Sequence, residues 1–121
     1  MSTLLTKEAI LNSKDIEFKD VPIKEWGGSI RLKEMDGTER DVFETEVMKR
    51  RKGNTDEVEL KGLKIYLLHL CMVNDKGERL FTQEDIFALQ KKNARIINDL
   101  FTEAQKLNKL KKEDLESTVK N

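Results

Sequence analysis

The sequence has few of the residues that build covalent, metal or catalytic sites. It contains one cysteine, Cys71, and one histidine, His69, among 121 residues. One cysteine cannot form an internal disulfide, and a lone cysteine is typical of proteins from reducing compartments. Chains of about 100–150 residues commonly fold as one domain without covalent support. We therefore expect a single domain that needs no disulfide, no structural metal and no cofactor.

Net charge is also lacking. Lys and Arg total 23, and Asp and Glu total 23, so no overall field attracts nucleic acid or an anionic membrane. The charged fraction is 38% and the aromatic fraction 6%, which indicates a heavily solvated surface around a modest core. No apolar run approaches the about 20 residues that span a bilayer, and residues 1–12 do not resemble a signal peptide. We expect an intracellular, soluble protein.

Hydrophobic patterning predicts an α+β domain that is mainly α, in which an N-terminal β-hairpin packs on a small helical bundle. Apolar and polar residues alternate on both sides of a Trp-Gly-Gly turn at 26–28, which indicates two strands. Pro22 has no N–H to donate, so its strand should lie at a sheet edge. We assign residues 1–110 to this domain and expect residues 111–121 to form a mobile charged tail.

Helical periodicity and capping residues predict five helices. They lie at about 7–11, 38–52, 58–74, 82–89 and 93–107, with Gly53 ending the second. The second should use Thr38 as its N-cap, with Asp41 in the capping-box position. The third is apolar on most sides, which is typical of a buried helix. In the fourth, Ile86, Phe87 and Leu89 should face inward.

Structural roles explain the residues that could otherwise carry chemistry. His69 has no second histidine with which to hold a metal, and Cys71 diverges from it on a helix, so we interpret both as core residues. The carboxylates are scattered, and no pair stands out as an acid/base couple. Gly27 and Gly28 precede a strand, whereas a phosphate loop precedes a helix. The sequence therefore predicts no catalytic residues, no metal site and no enzyme activity.

Trp26 is the strongest candidate for contact with a partner. It is the only tryptophan, and it lies beside the predicted hairpin turn. Two interpretations stay open: a cap over one end of the core, or an exposed anchor, since tryptophan is enriched at interface hot spots. The hairpin edge could also accept a strand from another chain. The predicted partner-binding residues are therefore Trp26, Pro22 and Ile23.

The basic run at 49–52, with sequence KRRK, supports an alternative function. Four adjacent cations could neutralise several phosphates, as in a small nucleic-acid-binding regulator. Acidic residues follow at 56, 57 and 59, and no aromatic residue is interleaved for base stacking. We interpret the run mainly as a solvated helix end, where cations suit the negative end of the helix dipole.

A family resemblance lies in two segments. Residues 21–35 read VPIKEWGGSIRLKEM, and residues 37–44 read GTERDVFE. Together they resemble the tail assembly chaperones of long-tailed bacteriophages and prophages. The specific part is the order Trp-Gly-Gly, strand, then Gly-x-Glu-Arg-Asp, and the similarity extends through the final amphipathic helix.

That resemblance implies an assembly factor without catalysis, cofactor or metal. Such proteins bind the long tape-measure protein, and sometimes the tail-tube protein, while the tail tube polymerises. They are absent from the finished particle, so the expected location is the cytoplasm of the bacterial host. In many phages a longer form is also made by ribosomal frameshifting. Whether the chain forms a homo-oligomer stays open at this point.

Overall fold

The computed structural model describes residues 3–51 and 62–110. Within these ranges the elements follow in the order α1 (Lys7–Asn12), β1 (Phe18–Ile23), β2 (Gly28–Lys33), α2 (Gly37–Lys49), α3 (Leu63–Cys71), β3 (Met72–Val73), α4 (Ile86–Leu89) and α5 (Ala94–Leu107). Short 3₁₀ helices at Lys24–Trp26 and Gln83–Asp85 precede β2 and α4. The predicted α+β fold, mainly helical with an N-terminal hairpin, is confirmed. The predicted stop at Gly53 and the predicted tail lie outside the described residues.

The hairpin is the start of a three-stranded antiparallel sheet with the order β1-β2-β3. Strands β1 and β2 pair from Phe18 opposite Lys33 to Ile23 opposite Gly28. Among the residues that the structure describes, β1 has no strand on its other side, so Pro22 lies on an edge strand as its missing N–H predicts. The hairpin turn contains Gly27 at φ 77°, a conformation that glycine adopts without steric cost.

The predicted central helix is wrong at its C-terminal end. The helix ends at Cys71, and the next two residues form β3, where Met72 pairs with Leu32 of β2. The backbone N–H of Leu80 also donates to the Met72 carbonyl at 3.0 Å. Sheet partners thus satisfy these backbone groups, although the local periodicity favours helix. Residues 58–61 of the predicted helix lie outside the described part of the chain.

The N-terminus of α2 is also displaced from its predicted position. Asp36, not Thr38, is the N-cap: its carboxylate accepts from the Glu39 N–H at 2.8 Å, and the Glu39 carboxylate accepts from the Asp36 N–H at 3.0 Å. This reciprocal pair is a capping box. The glutamate side chain reaches back to the cap better than Asp41 would, which explains why the N-cap lies two residues before Thr38.

Helix α4 differs from the prediction at one residue. Leu89 is buried and Ile86 is partly buried against the core, but Phe87 is 75% exposed. Ile86 and Leu89 are three residues apart and share a face of this short helix, whereas Phe87 points elsewhere. Phe87 therefore contributes to the surface and not to the core.

The hydrophobic core surrounds α3. This helix packs against α5, α2 and α4. Buried side chains come from each layer: Ile23, Leu32, Phe43, Val47, Leu63, Leu67, Leu68, Leu70, Ile96, Leu100 and Ala104. The buried face of α5 matches its predicted amphipathic stripe. Helix α1 buries no residue.

Candidate partner-binding site

The hairpin turn positions the three predicted binding residues differently. Ile23 is buried in the core, Pro22 is exposed on the edge strand, and Trp26 is half-buried against the core. The 3₁₀ helix Lys24–Trp26 closes with a hydrogen bond from the Gly27 N–H to the Lys24 carbonyl at 3.1 Å. That turn holds the indole at one end of the sheet. Trp26 and Pro22 thus reach the surface, whereas Ile23 belongs to the hydrophobic core.

Trp26 forms one wall of an open groove between the hairpin turn and α4. The groove has a volume of about 540 Å³. Its lining is mostly apolar: Glu25, Trp26, Ile30, Met72, Phe81, Ala88, Leu89 and Lys92. We call this feature the Trp26 groove. Trp26 therefore packs against the core and also presents a face to the groove.

The rim of the Trp26 groove is charged. The Arg95 Nη2 lies 2.6 Å from a carboxylate oxygen of Glu25, and the Lys92 Nζ lies 6.0 Å from the centre of the Trp26 ring. The hydrogen bond from Arg95 lowers the pKa of Glu25, and the same bond raises the pKa of Arg95. Glu25 and Arg95 are therefore both charged at neutral pH. An apolar floor with a charged rim is the usual composition of a protein-binding surface.

His69 and Cys71 lie in the interior, as predicted. His69 is 6% exposed, and burial lowers its pKa, which favours the neutral imidazole. Among the described residues its Nδ1 has no hydrogen-bond partner, and the ring of Tyr66 is centred 6.0 Å from the imidazole. Burial raises the pKa of the Cys71 thiol to about 12. Cys71 is therefore protonated at neutral pH and is not a nucleophile.

The described residues offer no metal or membrane site. Across 3–51 and 62–110, no three His, Cys, Asp or Glu side chains come together in a way that could hold a metal ion. In the same part of the chain, no helix is both long enough and apolar enough to cross a membrane.

Within the basic run at 49–52, Arg50 forms an ion pair with an acidic residue of the same domain. Lys49 ends α2, and the next residue, Arg50, places Nη1 3.1 Å from a carboxylate oxygen of Glu46. The guanidinium is mostly buried, with 20% of the side chain exposed. Lys52 lies outside the described residues. Since Arg50 turns inward to an acidic partner, the run is not a continuous exposed cationic patch, and no observation favours the nucleic-acid alternative.

Sequence reasoning missed most of the groove. Phe81, Leu89 and Lys92 join Trp26 only because α3 and the turn after β3 bring distant segments together. A weak signal was present, since Leu89 ends the predicted short helix at 82–89, and Phe81 and Lys92 lie on either side of it. Sequence reasoning also missed a second apolar surface beside α1, where four large side chains are exposed: Leu4, Leu5, Ile10 and Leu11.

The fold and the Trp26 groove define a small α+β domain with an open, mostly apolar surface groove and, among the described residues, no cluster that could hold a metal ion. Comparison with known families identifies it further. The pattern of the phage tail assembly chaperone family matches residues 5–120, and the chain belongs to this family. The resemblance found in the sequence is thus confirmed, as is the prediction that the protein is not an enzyme, because this family is non-catalytic.

A solved structure has the same fold. The tail assembly chaperone of bacteriophage HK97 matches with a TM-score of 0.57 and 16% sequence identity, covering 83% of this chain and 90% of that chain. At this identity the likeness concerns the fold alone. Comparison with curated protein sequences finds no significant match.

Proposed function

We propose that this chain binds the tape-measure protein of its phage during tail assembly, with the tail-tube protein as a second client. Membership of the tail assembly chaperone family supports a role in assembly. The observation that carries the proposal is the Trp26 groove, an open and mostly apolar surface beside the hairpin turn. The protein acts in the bacterial cytoplasm and is absent from the finished virion.

The groove suits an apolar segment of a long helical client. Helices with an apolar stripe bind grooves through side chains at i, i+3, i+4 and i+7. Trp26, Phe81 and Leu89 would cover such side chains, and tryptophan is the residue most enriched at interface hot spots. Glu25 and Lys92 at the rim would set the direction of the client through charge. The exposed edge of β1 around Pro22 offers a second contact by strand addition.

Co-expression with the tape-measure protein of the same genome tests the proposal. The wild-type chain should co-purify with it. Trp26→Ala removes one wall of the groove, and Ala88→Arg fills the groove from an exposed position without touching the core. Each should weaken capture by at least about tenfold, the effect of losing about 1.4 kcal/mol. Phe87→Ala is the matched control, because Phe87 is exposed on the same helix and does not line the groove.

Two results would contradict the proposal in different ways. If both proteins are soluble when co-expressed and do not co-purify, the tape-measure protein is not a client. If the wild-type chain and Ala88→Arg capture the client equally well, the client binds elsewhere on the surface.

A further inference from the structure

We propose that the client segment in the Trp26 groove carries an acidic residue about one helical turn from its apolar side chains, and that Lys64 and Lys92 bind the carboxylate of this residue. This proposal rests on the proposed function, because it names the chemistry of the segment that the same groove selects.

A second open cavity adjoins the Trp26 groove, where the start of α3 meets the start of α5. It has a volume of about 360 Å³, and we call it the Lys64 pocket. Its walls include Gly62, Lys64, Gln90, Lys92 and Asn98. Lys92 lines both cavities, so a bound segment can pass from the apolar groove into the Lys64 pocket across this one side chain.

Neutral groups hold the ammonium of Lys64 at the pocket wall. Its Nζ lies 2.5 Å from the Asn98 Oδ1 and 5.6 Å from the centre of the Phe101 ring. An amide oxygen and an aromatic face orient a cation without carrying a formal negative charge. The charge of Lys64 is therefore positioned but not compensated by these partners.

Lys92 is held in the same way. Its Nζ lies 6.0 Å from the centre of the Trp26 ring, and the described part of the chain gives it no carboxylate partner. Among the described residues that line the two cavities, Glu25 is the one acidic residue, and Arg95 already pairs with it at 2.6 Å. The linings of the two cavities therefore keep two positive charges without a counter-charge.

Gln90 adds a neutral hydrogen-bond donor to the Lys64 pocket. A Cβ on Gly62 would lie 3.5 Å from the Gln90 Nε2, so this amide nitrogen faces the Gly62 side of the cavity. Ammonium groups and amide nitrogens only donate, whereas an ionised carboxylate only accepts and has room for several hydrogen bonds. A wall of donors with excess positive charge thus fits a carboxylate.

The position of Lys92 sets the spacing within the client. Apolar client side chains would contact Trp26, Phe81 and Leu89, and Lys92 lies where the groove meets the Lys64 pocket. Helix residues three or four apart share a face, with about 5–6 Å between their Cβ atoms. A carboxylate one turn beyond an apolar side chain can therefore reach the lysines while the apolar side chain stays in the groove.

Peptides of about 20 residues, long enough to form a helix, that tile the tape-measure protein of the same genome are the probe. Any tryptophan in them is replaced by phenylalanine, so that all emission comes from Trp26, the only tryptophan of the chain. A peptide whose signal disappears with Ala88→Arg binds the groove. Each such peptide should carry an acidic residue three or four positions from an apolar one, and its replacement by Asn or Gln should weaken binding about fivefold.

Variants of the chain test the two lysines. Lys64→Gln and Lys92→Gln should each weaken binding of these peptides about fivefold. Lys91→Gln is the matched control, because Lys91 is an exposed neighbouring lysine that lines neither cavity and its replacement changes the net charge equally. It should bind like the wild type. All three positions are exposed, so the domain should stay folded.

Two further readouts separate charge recognition from a structural role. Raising the salt concentration from about 0.1 M to about 1 M should weaken binding to the wild type more than to the variant with both glutamines, because salt screens the lysine charges. Lys64→Glu should bind the unchanged peptides worst, and a peptide whose acidic residue is replaced by Lys should regain binding to this variant. A lysine that only supports the fold would not give this rescue.

Two results would overturn the inference: groove-binding peptides that need no acidic residue, or Lys64→Gln and Lys92→Gln chains that bind like Lys91→Gln. In both cases the wild-type chain still binds its client, so the proposed function stands. If no peptide binds the groove and the tape-measure protein does not co-purify, both the proposed function and the inference are contradicted.

Discussion

The side-chain Oδ1 of Asn108 accepts a hydrogen bond from the backbone N–H of Met35 at 2.7 Å. The amide nitrogen of the same side chain donates to the Ala104 carbonyl at 2.9 Å and to the Cys71 sulfur at 3.5 Å. Asn108 caps α5 at its C-terminus, Met35 follows β2, and Cys71 ends α3. One partly buried amide thus connects the segment after β2 with the C-terminal ends of α3 and α5.

Replacing Asn108 should destabilise the domain. Asn108→Ala leaves the Met35 N–H without its acceptor in a partly buried position, so the free energy of unfolding should fall by about 1–3 kcal/mol. Urea denaturation followed by circular dichroism measures the change. Asn98→Ala is the matched control, because Asn98 lies on the exposed side of α5, where its side chain contacts Lys64. A loss at Asn108 no larger than at Asn98 would mean that the amide network contributes nothing measurable.

The N-cap of α2 can be tested by comparing two neighbouring residues. Asp36→Ala removes the acceptor for the Glu39 N–H and should reduce the free energy of unfolding by about 0.5–2 kcal/mol. Thr38→Ala, at the residue that sequence reasoning selects as the cap, should change it by less than about 0.5 kcal/mol. The reverse order in thermal or urea unfolding would place the start of the helix at Thr38.

Truncation of the buried Phe43 and of the exposed Phe87 should change the free energy of unfolding by very different amounts. Phe43→Ala should cost about 3–5 kcal/mol of unfolding free energy, because Phe43 is 1% exposed and its removal leaves a cavity. Phe87→Ala should change stability by no more than about 0.5 kcal/mol, because Phe87 is 75% exposed. Equal losses in urea denaturation would indicate that Phe87 packs inward, as periodicity alone suggests.

The buried His69 should make stability depend on pH. Burial lowers the pKa of His69 in the folded state, so between the folded pKa and the unfolded value of about 6.5 the unfolded chain binds more protons. Stability should therefore fall as the pH drops below about 6.5 and should be unaffected by this group at higher pH. Arg79 acts in the same direction, because its charge disfavours the imidazolium.

The measurement is the urea midpoint as a function of pH, with His69→Leu as the comparison. The variant should show a smaller decrease between about pH 7 and pH 5.5 than the wild type. Carboxylates with lowered pKa values, such as Glu25 and Glu103, lose their contribution only in a more acidic range. Parallel curves for wild type and variant across this window would show that His69 does not titrate differently on folding.

Local patterns were sufficient for the elements whose partners lie nearby in sequence. The alternation on both sides of the Trp-Gly-Gly turn predicted the hairpin, because β1 and β2 are joined directly and Gly27 needs a positive φ. The missing N–H of Pro22 predicted an edge strand for the same local reason. The stripe of α5 predicted its buried face, since one amphipathic helix specifies a face without knowledge of its neighbour.

Tertiary contacts decided the features that depend on residues far apart in sequence. Met72 and Val73 leave the helix because β2, forty residues earlier, satisfies their backbone groups. Phe87 is exposed because α4 packs against α3 through the face that carries Ile86 and Leu89, and Phe87 lies on another face.

The Trp26 groove exists only where the hairpin turn, β3 and α4 meet. The amino-acid sequence by itself determined the two strands of the hairpin, the main helices and the family of this protein. The folded chain alone determined which apolar side chains became core and which became a binding surface, because burial depends on what packs against each face and not on the pattern of that face.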